Sequence, residues 1–340
     1  MVRLVTAALL FLALPCVAPA APDLDALNRA TVHTHILPAV DAFQASAMAM
    51  SDAATQDCAP TSPPLIAAFH DTFDAWTRMS HLRFGPTETN DRAFAIAFWP
   101  DGRGKTPKSL AALITSDNPD RLESDQFQNA SIAARGLYAL EFMLFDAPTM
   151  NTGAAPARCA LIRAITTDLA ENATGISNDW LDNYAEKLLT PTPDGLYRST
   201  EEATQELFKA LGTGLQFTSD TRLGRPLGTF DRPRPKRAEL RRSERSLRQI
   251  QMSLEGTRGL ALALASENPG LSDHFTALYG AAFEVIEQLD DPTFAGVADI
   301  QGRLRVEILQ ISIDEIRELM TLELGPALGV SAGFNALDGN

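Results

Sequence analysis

Cysteine and histidine are both scarce in this chain of 340 residues, which contains three cysteines and five histidines. No two cysteines have the C-x-x-C spacing, so the sequence supports neither a dithiol redox centre nor a zinc cluster. The histidines never occur as H-E-x-x-H, which excludes the common zinc-peptidase helix. The Walker loop and the dinucleotide fingerprint are also missing. The familiar signatures of these enzyme classes are therefore absent.

Positive charge is in short supply as well. The chain has 29 Lys and Arg against 43 Asp and Glu, a net charge of −14. A chain this acidic repels nucleic acid and anionic membrane surfaces, so neither is expected as a partner. Hydrophobic residues make up 45% of the sequence, which is enough for a sizeable core.

The one long apolar run lies at the N-terminus, from Leu4 to Leu14. It is too short to span a membrane, and the Ala18-Pro19-Ala20 sequence fits a signal-peptide cleavage site. We predict that residues 1–20 are a signal peptide and that the mature chain is periplasmic, with no transmembrane segment. A lipid anchor on Cys16 is disfavoured, because Pro15 precedes it where a lipobox has a small residue.

Cleavage would leave two cysteines, Cys58 and Cys159. In an oxidising compartment the simplest expectation is a disulfide between them, and the alternative is two separate buried thiols.

Strand signals are rare, while helical spacing of apolar residues recurs along the chain. Val306, Leu309, Ile313, Ile316 and Met320, for example, follow a 3-4-3-4 spacing, which predicts a one-sided apolar stripe. Other predicted helices include Leu65–Leu82, Gln126–Asp146, Ala157–Leu189 and 236–266, and Pro38 is expected to kink a helix that begins near Asp23.

The segment Thr190–Thr200 contains two prolines and a glycine between polar residues, which is typical of a linker. The sequence therefore predicts an all-α fold of two packed helical bundles, residues 21–194 and residues 195–340.

Glu141 is a lone carboxylate within the apolar stretch Ala134–Asp146. Tyr138 lies three residues before it, so both side chains project from one face of a helix towards the bundle interior or another domain. Two interpretations stay open: a buried ion pair or hydrogen-bond partner, and a metal or ligand carboxylate.

The histidines do not form an obvious metal site within one helix. His33 and His35 are two residues apart and point to different faces. His70 and His81 share a face of one predicted helix but are three turns apart. Any site that uses them must take partners from other helices.

An exception to the acidic composition is the run Asp231–Arg248, which carries eight basic residues. Arg237, Arg241 and Arg245 would stack at i, i+4 and i+8 on a helix. This face is either solvated and paired with acids of the neighbouring bundle, or it is a site for an anion or an acidic partner.

Five separated stretches resemble the imelysin-like family: "HILP" (35–38), "HLRFGP" (81–86), "FWPD" (98–101), "GLYALEFMLFD" (136–146) and the C-terminal "LGVSAGFNALDGN". The resemblance implies two helical bundles, an envelope location and a link to iron acquisition. The family signature is Gly-x-His-x-x-Glu; Gly136 and Glu141 match it, whereas Tyr138 replaces the histidine.

The resemblance and the departure at Tyr138 together favour a non-catalytic binding component of iron acquisition, with a site between the bundles for iron or another metal. Envelope iron-uptake proteins would be its partners. The expected ligands are Tyr138, Glu141, His81 and His35, and the supporting motif residues are Arg83, Asp101, Gly136, Asn335 and Asp338. One alternative is a metallopeptidase of the imelysin type that uses Glu141. A second is a protein-docking module that uses the Arg232–Arg248 face.

Overall fold

The computed structural model describes residues 22–330. The predicted signal peptide and the motif residues Asn335 and Asp338 lie outside this range. Within it the chain forms helices and no strand, with one isolated antiparallel bridge between Thr229 and Arg232. The all-α prediction is therefore confirmed. None of the helices in residues 22–330 is long and apolar enough to cross a membrane.

Ten α-helices lie in the described residues before the predicted linker, from residue 22 to residue 189. They are α1 (Leu24–Thr31), α2 (Leu37–Gln56), α3 (Pro63–Met79), α4 (Arg92–Ile96), α5 (Lys105–Ile114), α6 (Ser124–Phe127), α7 (Gly136–Phe145), α8 (Ala147–Met150), α9 (Ala155–Asp179) and α10 (Ala185–Leu189). The first bundle is built on α2, α3 and α9, and α7 packs against α9.

The second part contains α11 (Thr200–Gln216), α12 (Gly224–Leu227), α13 (Ser246–Leu264), α14 (Pro269–Leu289), α15 (Ile300–Leu319) and α16 (Gly325–Leu328). Helices α11, α13, α14 and α15 form the second bundle. The predicted stripe on the last long helix is confirmed, because all five of its residues are buried.

The two bundles are packed together along α3 and α13, and α1 packs on α11 and α13. Asn28 fixes α1 there: its amide donates to the Thr200 carbonyl (3.3 Å) and its oxygen accepts from the Thr204 hydroxyl (3.1 Å). The predicted linker is non-helical between α10 and α11. The boundary at residues 194 and 195 stays a prediction.

The helix that contains Pro38 is not broken at the proline. A π-helical turn, Val32–Ile36, joins α1 to α2 just before it. Proline has no N–H to donate to the carbonyl four residues back, and its ring crowds that group. The wider turn includes Thr34, which carries that carbonyl, so it accommodates the proline.

Two predicted helices are shorter than the sequence indicated. Helix α7 begins at Gly136, because Gly136 has a φ of +72° and the preceding segment is a 3₁₀ turn. Helix α13 begins at Ser246 and not near residue 236, since Leu240 and Glu244 both have positive φ values. The predicted stacking of Arg237, Arg241 and Arg245 on one helix is therefore wrong.

The predicted disulfide is confirmed: Cys58 and Cys159 are bonded, with their Cα atoms 5.2 Å apart. It ties the segment after α2 to the first turns of α9 and closes a loop with a sequence separation of 101 residues. A loop of this length corresponds to about 4–5 kcal/mol in the chain-entropy model.

Candidate functional site at the interface of the bundles

Glu141 is buried in the middle of α7 with 2% of its surface exposed. Its Oε1 atom accepts three hydrogen bonds from one turn of the second part of the chain. The donors are the backbone N–H of Arg242 (3.0 Å), the backbone N–H of Ser243 (3.1 Å) and the Ser243 hydroxyl (3.1 Å). The carboxylate therefore joins the two parts of the molecule.

Burial raises the pKa of Glu141, while the Arg242 charge and the three donors oppose that rise. The Arg242 guanidinium lies 3.8 Å from Oε2 of Glu141 and donates to Asp146 at 3.0 Å. It also lies over the Phe142 ring, 3.6 Å from the centroid. These contacts explain how a carboxylate is kept in an apolar helix: donors from the facing turn offset its loss of water.

The hydroxyl of Tyr138, one turn before Glu141, donates a hydrogen bond to Glu239. The other oxygen of Glu239 accepts from Nε of Arg222 at 2.8 Å, and both members of this ion pair are almost fully buried. Burial and the Glu239 charge raise the pKa of Tyr138 well above its ordinary value, so the phenol stays protonated.

Sequence reasoning missed both Glu239 and Arg222. Glu239 is one of three acids in the basic run, with Asp231 and Glu244, so the residue pattern did not distinguish it from the other two. Nothing in the sequence marked Arg222, which a π-helical turn, Phe217–Leu223, places at the interface.

Trp99 adds an aromatic wall to this cluster. Its ring is stacked on Tyr138 with centroids 6.1 Å apart and meets the edge of Phe217 at the same distance. Arg225 lies on it, with the guanidinium carbon 5.6 Å from the ring centroid. The "FWPD" stretch therefore contributes a ring to the interface.

Asp101 and Arg83, two of the expected supporting residues, contact residues that are close to them in the chain. Asp101 accepts from the backbone N–H groups of Thr106 (2.8 Å) and Arg103 (3.3 Å), so it caps the start of α5. Arg83 pairs with the nearby Glu88 and lies over Phe94, 5.4 Å from the ring centroid. Gly136 allows α7 to begin against the carbonyls of Ala95 and Ile96.

His35 and His81 form a second cluster. Their Nε2 atoms are 3.0 Å apart, His81 is buried and His35 is half-buried. His81 lies in the turn after α3, which ends at Met79, so it does not share a helix with His70 as the sequence predicted. Glycines on the second bundle provide the space: Gly214 faces the His81 Cβ and Gly259 faces the His35 ring.

The described contacts place the four expected ligands in two clusters, Tyr138 with Glu141 and His35 with His81. Hydrogen bonds lead from the first cluster towards the second. Tyr138 donates to Glu239, Glu239 accepts from Arg222, and Arg222 donates to the hydroxyl of Ser80 at 3.4 Å, next to His81 in the chain. Within residues 22–330 no group of three or more His, Cys, Asp or Glu side chains is arranged to hold a metal ion.

The histidine pair makes stability sensitive to acid. Burial lowers the pKa of His35 from 6.5 to about 4 and lowers that of His81 as well. Below pH 6.5 the unfolded chain therefore binds more protons than the folded chain, and stability falls as the pH falls towards 4. We expect His35→Gln to reduce this loss by up to about 3 kcal/mol. The measurement is urea unfolding of the metal-free protein, with chelator present, between pH 7 and pH 4.

The exposed His33 supplies the control, since His33→Gln should leave the pH dependence as it is in the parent. If the free energy of unfolding of His35→Gln falls between pH 7 and pH 4 as much as that of the parent, the buried histidine pair is not the cause of the acid sensitivity.

These features define a two-bundle helical protein with a polar cluster clamped between its bundles. The sequence model of the Imelysin family matches residues 36–320, so the chain belongs to the imelysin family. No curated protein is similar enough to count as a match.

Two solved structures share the fold. An imelysin-like protein from Psychrobacter arcticum 273-4 is 20% identical with a TM-score of 0.77, over 93% of this chain and 100% of that one. A protein from Parabacteroides distasonis ATCC 8503, provisionally named an iron-regulated protein A precursor, is 14% identical with a TM-score of 0.71, over 89% and 97%.

Proposed function

We propose that this chain is a non-catalytic binding protein of bacterial iron handling that works in the periplasm. The observation that carries the non-catalytic part is the state of Glu141. A general base needs an oxygen that can contact a water or substrate. Oε1 of Glu141 accepts three hydrogen bonds from residues 242 and 243, Oε2 lies 3.8 Å from the Arg242 guanidinium, and only 2% of the residue is exposed. Its role is to hold the interface together.

The link to iron rests on family membership and on the name of the Parabacteroides distasonis protein of the same fold. The periplasmic location rests on the N-terminal sequence, and envelope iron-uptake proteins are the partners that this location suggests.

The residues present differ in how well they fit a metal ion. Tyr138 and Glu141 fit poorly, because the protonated Tyr138 hydroxyl donates to Glu239 and the Glu141 carboxylate already accepts from residues 242 and 243. His35 and His81 fit better: both are kept neutral by burial, and neutral imidazole nitrogens are good ligands for divalent transition metals such as ferrous iron. The pair would supply two nitrogen ligands and leave the remaining positions to water or to a chelate.

The test is calorimetric titration of the mature, metal-free protein with ferrous iron under anaerobic conditions. We expect binding that is at least tenfold weaker in His35→Gln and unchanged in His274→Gln, whose histidine lies half exposed on α14. Equal affinity of the parent and His35→Gln would contradict the histidine pair as the metal ligand.

The metallopeptidase alternative is tested on the same preparations. Incubation with an unfolded protein substrate should give no cleavage in the parent or in Glu141→Gln. Cleavage by the parent that stops with chelator and in Glu141→Gln would overturn the non-catalytic assignment.

A further inference from the structure

The basic run of the sequence separates in the structure into two groups with different surroundings. The arginines near the end of the run Asp231–Arg248 face inward and form ion pairs. Arg242 pairs with Glu141 and Asp146, and Arg245 and Arg248 both pair with Asp74. These arginines are structural, since each binds an acid of the first bundle.

The members near its start are arranged differently. In the part of the chain that the structure describes, the guanidinium groups of Arg232, Arg234 and Arg237 have neither an ion-pair nor a hydrogen-bond partner, and the same holds for Arg225. The Nε atom of Arg225 is buried and unpaired. Unpaired buried donors are unusual and need an explanation.

The backbone brings these four arginines together. The chain turns back on itself after α12 through the bridge between Thr229 and Arg232, and the N–H of Arg234 then donates to the carbonyl of Pro226 at 2.8 Å. Arg225 is therefore next to the returning segment that carries Arg234 and Arg237. Burial lowers the pKa of Arg225, and the charge of Arg237 lowers it further, which agrees with this proximity.

Like charges held together without counter-ions destabilise a fold. This cluster lies in a protein with a net charge of −14, where acids for pairing are plentiful. Asp231 is the one acid of the turn itself, and it is exposed and forms no described ion pair. Glu239, the next acid along the chain, is held by Arg222 and Tyr138. The arrangement leaves an uncompensated positive surface.

We propose that Arg225, Arg234 and Arg237 bind a small molecule that carries two or more negative charges on carboxylate or phosphate oxygens, with the ring of Trp99 as the floor of the site. Guanidinium groups present forked donors that match carboxylate and phosphate oxygens. Arg225 is half-buried on the half-buried Trp99 ring, a recessed position that a small anion reaches more easily than the surface of a folded protein. Polycarboxylates and phosphates share this chemistry. The proposal is independent of the iron-handling assignment.

The test uses citrate and inorganic phosphate as separate probes in calorimetry, in a chloride buffer of low ionic strength. We expect at least one of them to bind, and Arg237→Glu, an exposed substitution that should leave the fold intact, to weaken binding at least tenfold. The matched control is Arg305→Glu, which makes the same charge change at an exposed arginine of α15 with no described partner. Its affinity should stay within about twofold of the parent.

Fluorescence gives a local readout, because Trp76 and Trp180 are buried in the core and Trp99 is half-buried beside Arg225. Binding should change the emission of the parent but not of Trp99→Phe. Tighter binding of citrate would identify a polycarboxylate, and tighter binding of phosphate would identify a phosphate. No binding of either probe up to about 10 mM, or equal binding by Arg237→Glu, would overturn the proposal.

Discussion

Gly136→Ala lowers the free energy of unfolding by about 4 kcal/mol or more, or prevents folding. A Cβ at this position would lie 2.2 Å from the carbonyl oxygens of Ala95 and Ile96, and the φ of +72° is unfavourable for alanine. Neither carbonyl can rotate away as a side chain would, so α7 must shift, and with it Tyr138 and Glu141. The measurement is urea unfolding followed by circular dichroism.

The control for this substitution is Gly280→Ala. Gly280 lies within α14, and an added Cβ would have no heavy atom within 4 Å. Alanine there should be neutral or stabilising by about 1 kcal/mol, because it favours the helix. A Gly136→Ala protein as stable as the parent would mean that the start of α7 does not depend on the glycine.

Glu141→Ala should destabilise the protein by about 3–5 kcal/mol. The substitution leaves two backbone N–H groups and the Ser243 hydroxyl without an acceptor in a buried interface, and it leaves Arg242 with Asp146 alone. Glu141→Gln keeps an oxygen for these donors and removes a charge that burial disfavours, so it should cost only about 1 kcal/mol.

Chemical unfolding of both variants, together with Ser243→Ala and the double variant, measures this clamp directly. Glu141 and Ser243 should show a coupling energy of about 1 kcal/mol. If Glu141→Ala is as stable as the parent, the carboxylate does not hold the bundles together. A bound ligand would then be needed to explain why a carboxylate is buried at this position.

The sequence predicted the helical fold well, because apolar spacing reports which face of a helix is buried. The stripe from Val306 to Met320 is an example, and the disulfide between Cys58 and Cys159 followed from the number of cysteines left after predicted export. These inferences needed local pattern or simple counting and no knowledge of the tertiary contacts.

The site was predictable only in part. The sequence marked Glu141 as unusual, and the family resemblance added His35 and His81 as expected ligands, but the donors to Glu141 are about a hundred residues further along the chain. Their turn was expected to be helical, since its arginines have helical spacing, and the positive φ values of Leu240 and Glu244 could not be inferred from these residue types. Tyr138 shows a related limit: its contact with Glu239 depends on how the bundles pack.

The packing of α1 has a consequence for how the molecule is held in one piece. Helix α1 precedes the first bundle in the chain but lies on α11 and α13, where Asn28 bonds to residues 200 and 204. The second bundle is thus completed by a segment from the other side of the linker, which acts as a clasp. A protease cut between residues 190 and 199 would remove the covalent link at that point, yet the clasp of α1 and the Glu141 clamp would keep the two fragments associated.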